Sequence, residues 1–291
     1  MLQATPISSF SKPFGATGVE VAVVGQGTWD FPESGARLDE AKRALRRGIE
    51  LGMTHVDTAE MYGAGRVESI VGETLAGIAR DRLFVTTKVL PGNATYRGTL
   101  AAADRSLERL QLDYVDLYLL HWPSEHPLEE TMRALEALVA AGKTRFVGVS
   151  NFDADEMREA ASHLRDVPLA CNQVLYHLRE RGIEHELIDA AAKSGVAVVA
   201  YTPFGRGGFP HSGTAGGDVL DAIARKHGAT VRQVILAFLT RHANVFTIPK
   251  AARVAHVEEN AGAGKLTLDT ADADAIDAAF PLGTPGPLAT L

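Results

Sequence analysis

The chain has 291 residues, 46% of them hydrophobic, with 29 Lys and Arg against 36 Asp and Glu and a net charge of −7. That length suits two average domains or one large α/β barrel. The mild, interspersed acidity excludes the clustered basic footprint of a nucleic-acid binder. A single cysteine, Cys171, excludes an internal disulfide and points to a reducing compartment.

The opening MLQATPISSF lacks a basic stretch followed by an apolar run, and no apolar segment approaches the length of a membrane span. A cytoplasmic protein with no membrane contact is expected. Residues 7–22 read as a hairpin broken at Gly15 and Gly18. Short apolar runs then predict strands at 23–27, 55–59, 83–89, 114–122, 145–151, 169–176, 197–203 and 245–250. Amphipathic spacing predicts helices at 38–51, 66–77, 99–110, 128–141, 153–163, 183–194, 217–227 and 253–262, with an extra one at 230–242. In the first, Leu38, Ala41, Leu45 and Ile49 share a face.

Eight strands, each followed by a helix, predict an α/β fold: a (β/α)8 TIM barrel with an N-terminal β-hairpin and extra helices near the C-terminus. One domain over 1–291 is expected, since no Pro-, Gly- or Ser-rich linker divides the chain. The Gly-rich 205–217 falls inside one strand-to-helix connection and reads as a mobile loop. A doubly wound sheet is the rival, but VVGQGTWD puts Asp30 where a dinucleotide fingerprint needs its third glycine.

In a barrel of this kind, chemistry sits at the C-terminal ends of the strands. Strand two ends in Asp57, with Tyr62 just beyond; strand three carries Lys88 and strand four His121. Alternation points His121 inward with Val115, Leu117 and Leu119, and Lys88 with Phe84 and Thr86. Each residue alone has an ordinary reading: a capping Asp, a packed Tyr, a solvated Lys, a core His. Four polar groups at successive strand ends predict a site instead. Asp57 and Lys88 would pair, with Tyr62 above both.

The motifs GQGTW (25–29), DTAEMYG (57–63), TTK (86–88), LLHWP (119–123), GVSNF (148–152), NQVLYH (172–177), AYTPFGRG (200–207), IPK (248–250) and EEN (258–260) run in order along the chain. As a set they resemble the aldo-keto reductases, in particular a bacterial branch acting on small reactive aldehydes. The resemblance implies NADPH-dependent carbonyl reduction, with Tyr62 as proton donor, Lys88 and Asp57 tuning it, and His121 orienting the carbonyl. A neighbouring ammonium would lower the phenol's pKa from its usual value of about 10.

The same resemblance implies a cofactor held across the barrel mouth. Ser150, Asn151 and Gln173 would bind the carboxamide and Tyr201 would stack on the nicotinamide. Thr28 and Asp57 would lie near its ribose. The loop Thr202, Phe204 and Arg206 would follow the pyrophosphate, and Glu259 and Asn260 the adenine. Lys250 would meet the 2′-phosphate. Ala251 and His256 stand where the family usually has Ser and Arg. Arg253 could substitute, so NADH remains possible beside NADPH. Trp29 and Trp122 would wall a substrate pocket. The short tail PLGTPGPLATL implies an open site for small aldehydes, α-ketoaldehydes such as methylglyoxal, and aryl aldehydes. No paired-ligand spacing of histidines predicts a metal. A monomer is expected. Two alternatives stay open: a Schiff-base lyase using Lys88, and a non-catalytic nicotinamide-binding regulator.

Overall fold

A computed structural model describes residues 11–206 and 209–291. The expected hairpin forms from β1 (Ser11–Pro13) and β2 (Glu20–Ala22), paired antiparallel. Its predicted start at 7–10, like Gly207 and Gly208 of the Gly-rich loop, lies outside the described residues. The turn drives Phe14, fully buried, into the barrel floor, with ring centres 5.0 Å from Phe84 and 4.9 Å from Phe246. Gly15 makes this possible. Its φ is +56°, and a Cβ there would lie 2.3 Å from the Gly195 carbonyl oxygen.

Eight parallel strands follow: β3 (Gln26–Gly27), β4 (His55–Asp57), β5 (Phe84–Val89), β6 (Val115–Leu120), β7 (Thr144–Ser150), β8 (Leu169–Leu175), β9 (Ala197–Tyr201) and β10 (Val245–Thr247). Each pairs with its sequence neighbour, and the parallel bridges Val24–Thr247 and Gly27–Lys250 join the last strand to the first. This is the (β/α)8 barrel; the doubly wound alternative is set aside. Phe84, Leu117, Leu119, Cys171, Val199 and Phe246 fill its interior. Val85, Tyr118, Leu120 and Val149 face out to the helices, the alternation that a strand's pleat dictates. Val115, expected inside, packs instead in this outer layer, at the first paired residue of β6.

The outer helices are α1 (Gly35–Glu50), α2 (Arg66–Leu75), α3 (Tyr96–Leu110), α4 (Leu128–Ala140), α5 (Ala154–Ser162) and α6 (Leu187–Lys193). Then come α7 (Ala215–His227), α8 (Val231–Leu239), α9 (Val254–Gly262) and α10 (Thr270–Ala279). The last is absent from the sequence expectation. Its run TADADAIDAA buries only Asp272 and Ile276, too few for a periodic signal, and an Asp269–Asp272 capping box starts it. No helix among the described residues is long and apolar enough to cross a membrane.

Several strands end earlier than their apolar runs. β4 stops at Asp57, β6 at Leu120 and β9 at Tyr201. The residues just past these ladders therefore sit on short loops at one mouth of the barrel, and they include the polar groups singled out above.

Candidate active site

Asp57 closes β4 and Lys88 is the penultimate residue of β5, next strand along. Both are buried, at 1% and 0% exposure. Lys88 Nζ donates to Asp57 Oδ1 at 2.6 Å and to the Thr58 carbonyl at 2.8 Å. Gln173 Nε2 donates to Asp57 Oδ2 at 2.7 Å, so both carboxylate oxygens are engaged. Burial pushes the Asp57 carboxyl up and the Lys88 ammonium down, and their mutual contact opposes both shifts. The pair persists because neither charge could stay buried without the other.

Tyr62 opens a 3-10 turn, Tyr62–Gly65. Three successive left-handed residues, Gly63 (φ 54°), Ala64 (φ 50°) and Gly65 (φ 92°), follow it. A non-glycine residue in that region costs about 1–2 kcal/mol. The turn lays the Tyr62 ring over the ion pair, 5.3 Å from Lys88 Nζ to the ring centre, and edge-on to His121 at 5.9 Å. Burial, and then the Asp57 carboxylate, push the Tyr62 phenol well above its usual value. This corrects the expectation that Lys88 makes it more acidic. Asp57 neutralises that ammonium, so desolvation decides the sign.

His121, 8% exposed, has its pKa lowered to about 3 by burial and then by Lys88. It is therefore a neutral imidazole at pH 7. Its Nδ1 finds no hydrogen-bond partner among the described residues. Its backbone carbonyl accepts from Asn151 Nδ2 at 3.0 Å, which fixes the β6 and β7 ends together.

These groups line a cavity of about 570 Å³, apart from Lys88, which lies beneath them. Asn151, in a left-handed conformation (φ 62°), accepts from the Tyr201 hydroxyl at 2.7 Å. Ser150 Oγ donates to the Gln173 carbonyl at 2.8 Å. Burial raises the Tyr201 phenol to about 12, so it stays a donor. Thr202, Phe204, Arg206 and Lys250 line the same cavity. The Arg206 guanidinium lies 4.0 Å over the Trp29 ring, linking the loops after β3 and β9.

Several expected residues do not line this cavity. Thr28 is fully buried and donates its hydroxyl to the Asp57 carbonyl at 2.9 Å, so it ties β3 to β4 behind the cavity wall. Arg253 caps the start of α9, His256, Glu259 and Asn260 lie on it, and all four stand off the cavity lining. Arg253 and His256 contact one another, Glu259 lies 3.6 Å from Arg232, and the buried Asn260 Oδ1 has no partner among the described residues. Sequence reasoning missed Asp30, Met61 and Leu291, all on the lining. Met61 and Leu291 join Trp29 and Trp122 as the large hydrophobic side chains exposed among the described residues, and all four rim this cavity. The tail is thus not remote from the site: its last residue reaches the mouth.

The profile of the Aldo/keto reductase family matches residues 23–280. The chain belongs to this family. Among its relatives, methylglyoxal reductase YeaE of Escherichia coli (strain K12) is 43% identical over 263 residues, 90% of this chain and 92% of that one. Glyoxal reductase of Bacillus subtilis (strain 168) is 38% identical over 265 residues, 90% of each. An aldo/keto reductase from Klebsiella pneumoniae, solved in complex with NADP and acetate, superposes with a TM-score of 0.90 at 39% identity, covering 97% of this chain and 99% of that one. Among aldo/keto reductases this barrel is thus ordinary in shape.

Proposed function

We propose that this aldo/keto reductase reduces small aldehydes and α-ketoaldehydes to alcohols with NADPH. One observation carries the reading: a buried Asp57–Lys88 pair lies under Tyr62, beside a neutral His121, at the floor of a cavity with an apolar rim. The activities in the names of the two relatives and the NADP in the Klebsiella structure support it.

The residues fit the cofactor. Tyr201 offers an aromatic face, with Ser150, Asn151 and Gln173 supplying amide and hydroxyl groups beside it. Arg206 and Lys250 bring positive charge along the same cavity. When bound, NADPH supplies a hydride to the carbonyl carbon. Negative charge then develops on the carbonyl oxygen, which needs a donor. Tyr62 gives its proton there. Because its pKa is raised, it is fully protonated at neutral pH, and the nascent alkoxide is more basic still. The neutral His121 donates a second hydrogen bond that orients the carbonyl. The phenolate that remains takes its proton back from solvent. The same bias disfavours alcohol oxidation, which needs Tyr62 ionised beforehand.

Lys250, on the cavity lining, is the cation offered to an adenosine 2′-phosphate, though Asp30 lies 3.9 Å from its Nζ. His256 has its pKa lowered by burial, then by Arg253 and Arg232, so it is neutral at pH 7. The preference for NADPH over NADH is accordingly modest. The lyase alternative is disfavoured, since Lys88 is 0% exposed and committed to Asp57 and Thr58. A panel of methylglyoxal, glyoxal, aryl aldehydes and a steroid ketone, run with both cofactors, tests the proposal. Turnover of the small aldehydes with NADPH is expected. Turnover of only the bulky ketone, or with NADH alone, would reject it.

A further inference from the structure

The loop that carries Tyr62 has no strand to hold it, and its turn is strained. Its backbone meets the neighbouring strand through Thr58 N–H to the Thr86 carbonyl at 2.9 Å, Lys88 Nζ to the Thr58 carbonyl at 2.8 Å and, nearest Tyr62, a longer Glu60 N–H to the Lys88 carbonyl at 3.3 Å. Next to Tyr62, the firmest tether is a side chain. Glu60, two residues before Tyr62, is 8% exposed and turns away from the cavity that Met61 and Tyr62 line. Its Oε1 accepts from the Leu90 N–H at 2.7 Å and from Asn93 Nδ2 at 2.9 Å. Leu90 is two residues past Lys88. Glu60 Oε2 lies 3.8 Å from the Arg105 guanidinium on α3. One carboxylate thus fastens the loop of the proton donor to the strand end that carries the ammonium.

We propose that Glu60 is a positioning residue for the reduction, acting by fixing the Tyr62 hydroxyl over Lys88 and the carbonyl oxygen. This rests on the reading of Tyr62 as the acid. Two of its observed bonds go to a single acceptor oxygen, and an amide oxygen can take that place. Glu60→Gln therefore keeps the tether, whereas Glu60→Ala removes it. A donor misplaced by about an ångström loses up to about 100-fold in rate.

The test is kcat, KM and NADPH affinity for both variants with methylglyoxal, and single-turnover rates for Tyr62→Phe and the Glu60→Ala/Tyr62→Phe double variant. Glu60→Ala should lower kcat about 10–100-fold while NADPH affinity, read by fluorescence titration, stays within about twofold. Glu60→Gln should stay within about threefold of the parent in kcat, since the tether survives. In the Tyr62→Phe background, Glu60→Ala should add less than about twofold, because its effect passes through the missing hydroxyl. The proposal is overturned if Glu60→Ala leaves kcat intact, if Glu60→Gln is as impaired as Glu60→Ala, or if the loss is undiminished without the Tyr62 hydroxyl. Full turnover by Tyr62→Phe would instead sink the acid assignment itself, a separate outcome. Should Glu60→Ala fail to fold, Asn93→Ala removes half the tether. It is expected to cost kcat about 3–10-fold, again with NADPH affinity unchanged, and no loss there overturns the proposal.

Discussion

Replacing Lys88 by Met should cripple folding stability as well as activity, and the structure sets the size of the effect. Lys88 Nζ makes two buried hydrogen bonds, at 2.6 Å and 2.8 Å. Without it, Asp57 keeps only the Gln173 amide at 2.7 Å. Removing one partner of a buried pair costs about 3–5 kcal/mol, against a total stability on the order of 5–15 kcal/mol. At roughly 2–4 °C per kcal/mol, the melting temperature should fall by about 10 °C. The loss should also depend on pH. Burial already raises Asp57, and loss of its countercharge raises it further. A carboxyl whose folded pKa is raised destabilises the fold above its unfolded pKa of about 3.9, increasingly so as pH rises. The deficit should therefore shrink towards pH 4 and grow towards pH 8. Adding Asp57→Leu to Lys88→Met should restore most of the stability while leaving the protein inactive. Urea unfolding at several pH values reads all three. A Lys88→Met cost below about 1 kcal/mol, or one flat with pH, would refute the pairing argument.

Three further expectations follow. With Tyr62 raised and His121 neutral down to about 3, kcat for aldehyde reduction should stay flat from pH 6 to beyond pH 9, while alcohol oxidation should rise across the same interval. A reductive rate that fell with an apparent pKa below 8 would contradict this. Because His256 is held neutral by burial, Arg253 and Arg232, a bound phosphate dianion should draw a proton onto it. NADPH should then bind more tightly at pH 6 than at pH 8, NADH should not, and His256→Ala should abolish the difference, as titration calorimetry in two buffers would show. Gly15→Ala should destabilise the fold by at least about 2 kcal/mol in thermal unfolding, since it combines a positive φ with a Cβ 2.3 Å from a carbonyl oxygen; activity of the folded fraction should be unchanged.

The strand ends were readable in the sequence because a period-two pattern fixes which side chains face inward. That pattern turns Lys88 and His121 inward, Asp57 stands at the end of its strand, and all three meet at one mouth of the barrel, where motif positions add Tyr201, Asn151 and Lys250. What escaped depends on register and burial. Whether the Thr28 hydroxyl faces the cavity or the Asp57 carbonyl is set by the pairing of β3 with β4. The sign of the Tyr62 shift needed the Asp57–Lys88 distance, since an ammonium already paired lends a neighbour little charge. Glu60 looked like any loop acid, because its partners, Leu90 and Asn93, lie 30 and 33 residues away. Leu291 at the mouth could not be read from a tail with no periodic pattern.

The central claim is that the Tyr62 hydroxyl delivers the proton to the carbonyl oxygen. Its most direct test is the single-turnover oxidation of NADPH by methylglyoxal in Tyr62→Phe, beside a fluorescence titration of the cofactor on the same sample. Cofactor affinity within about twofold of the parent and a rate lowered by at least about 100-fold are predicted, the size expected for loss of a general acid. A variant that binds NADPH normally and reduces methylglyoxal within threefold of the parent rate would contradict the account.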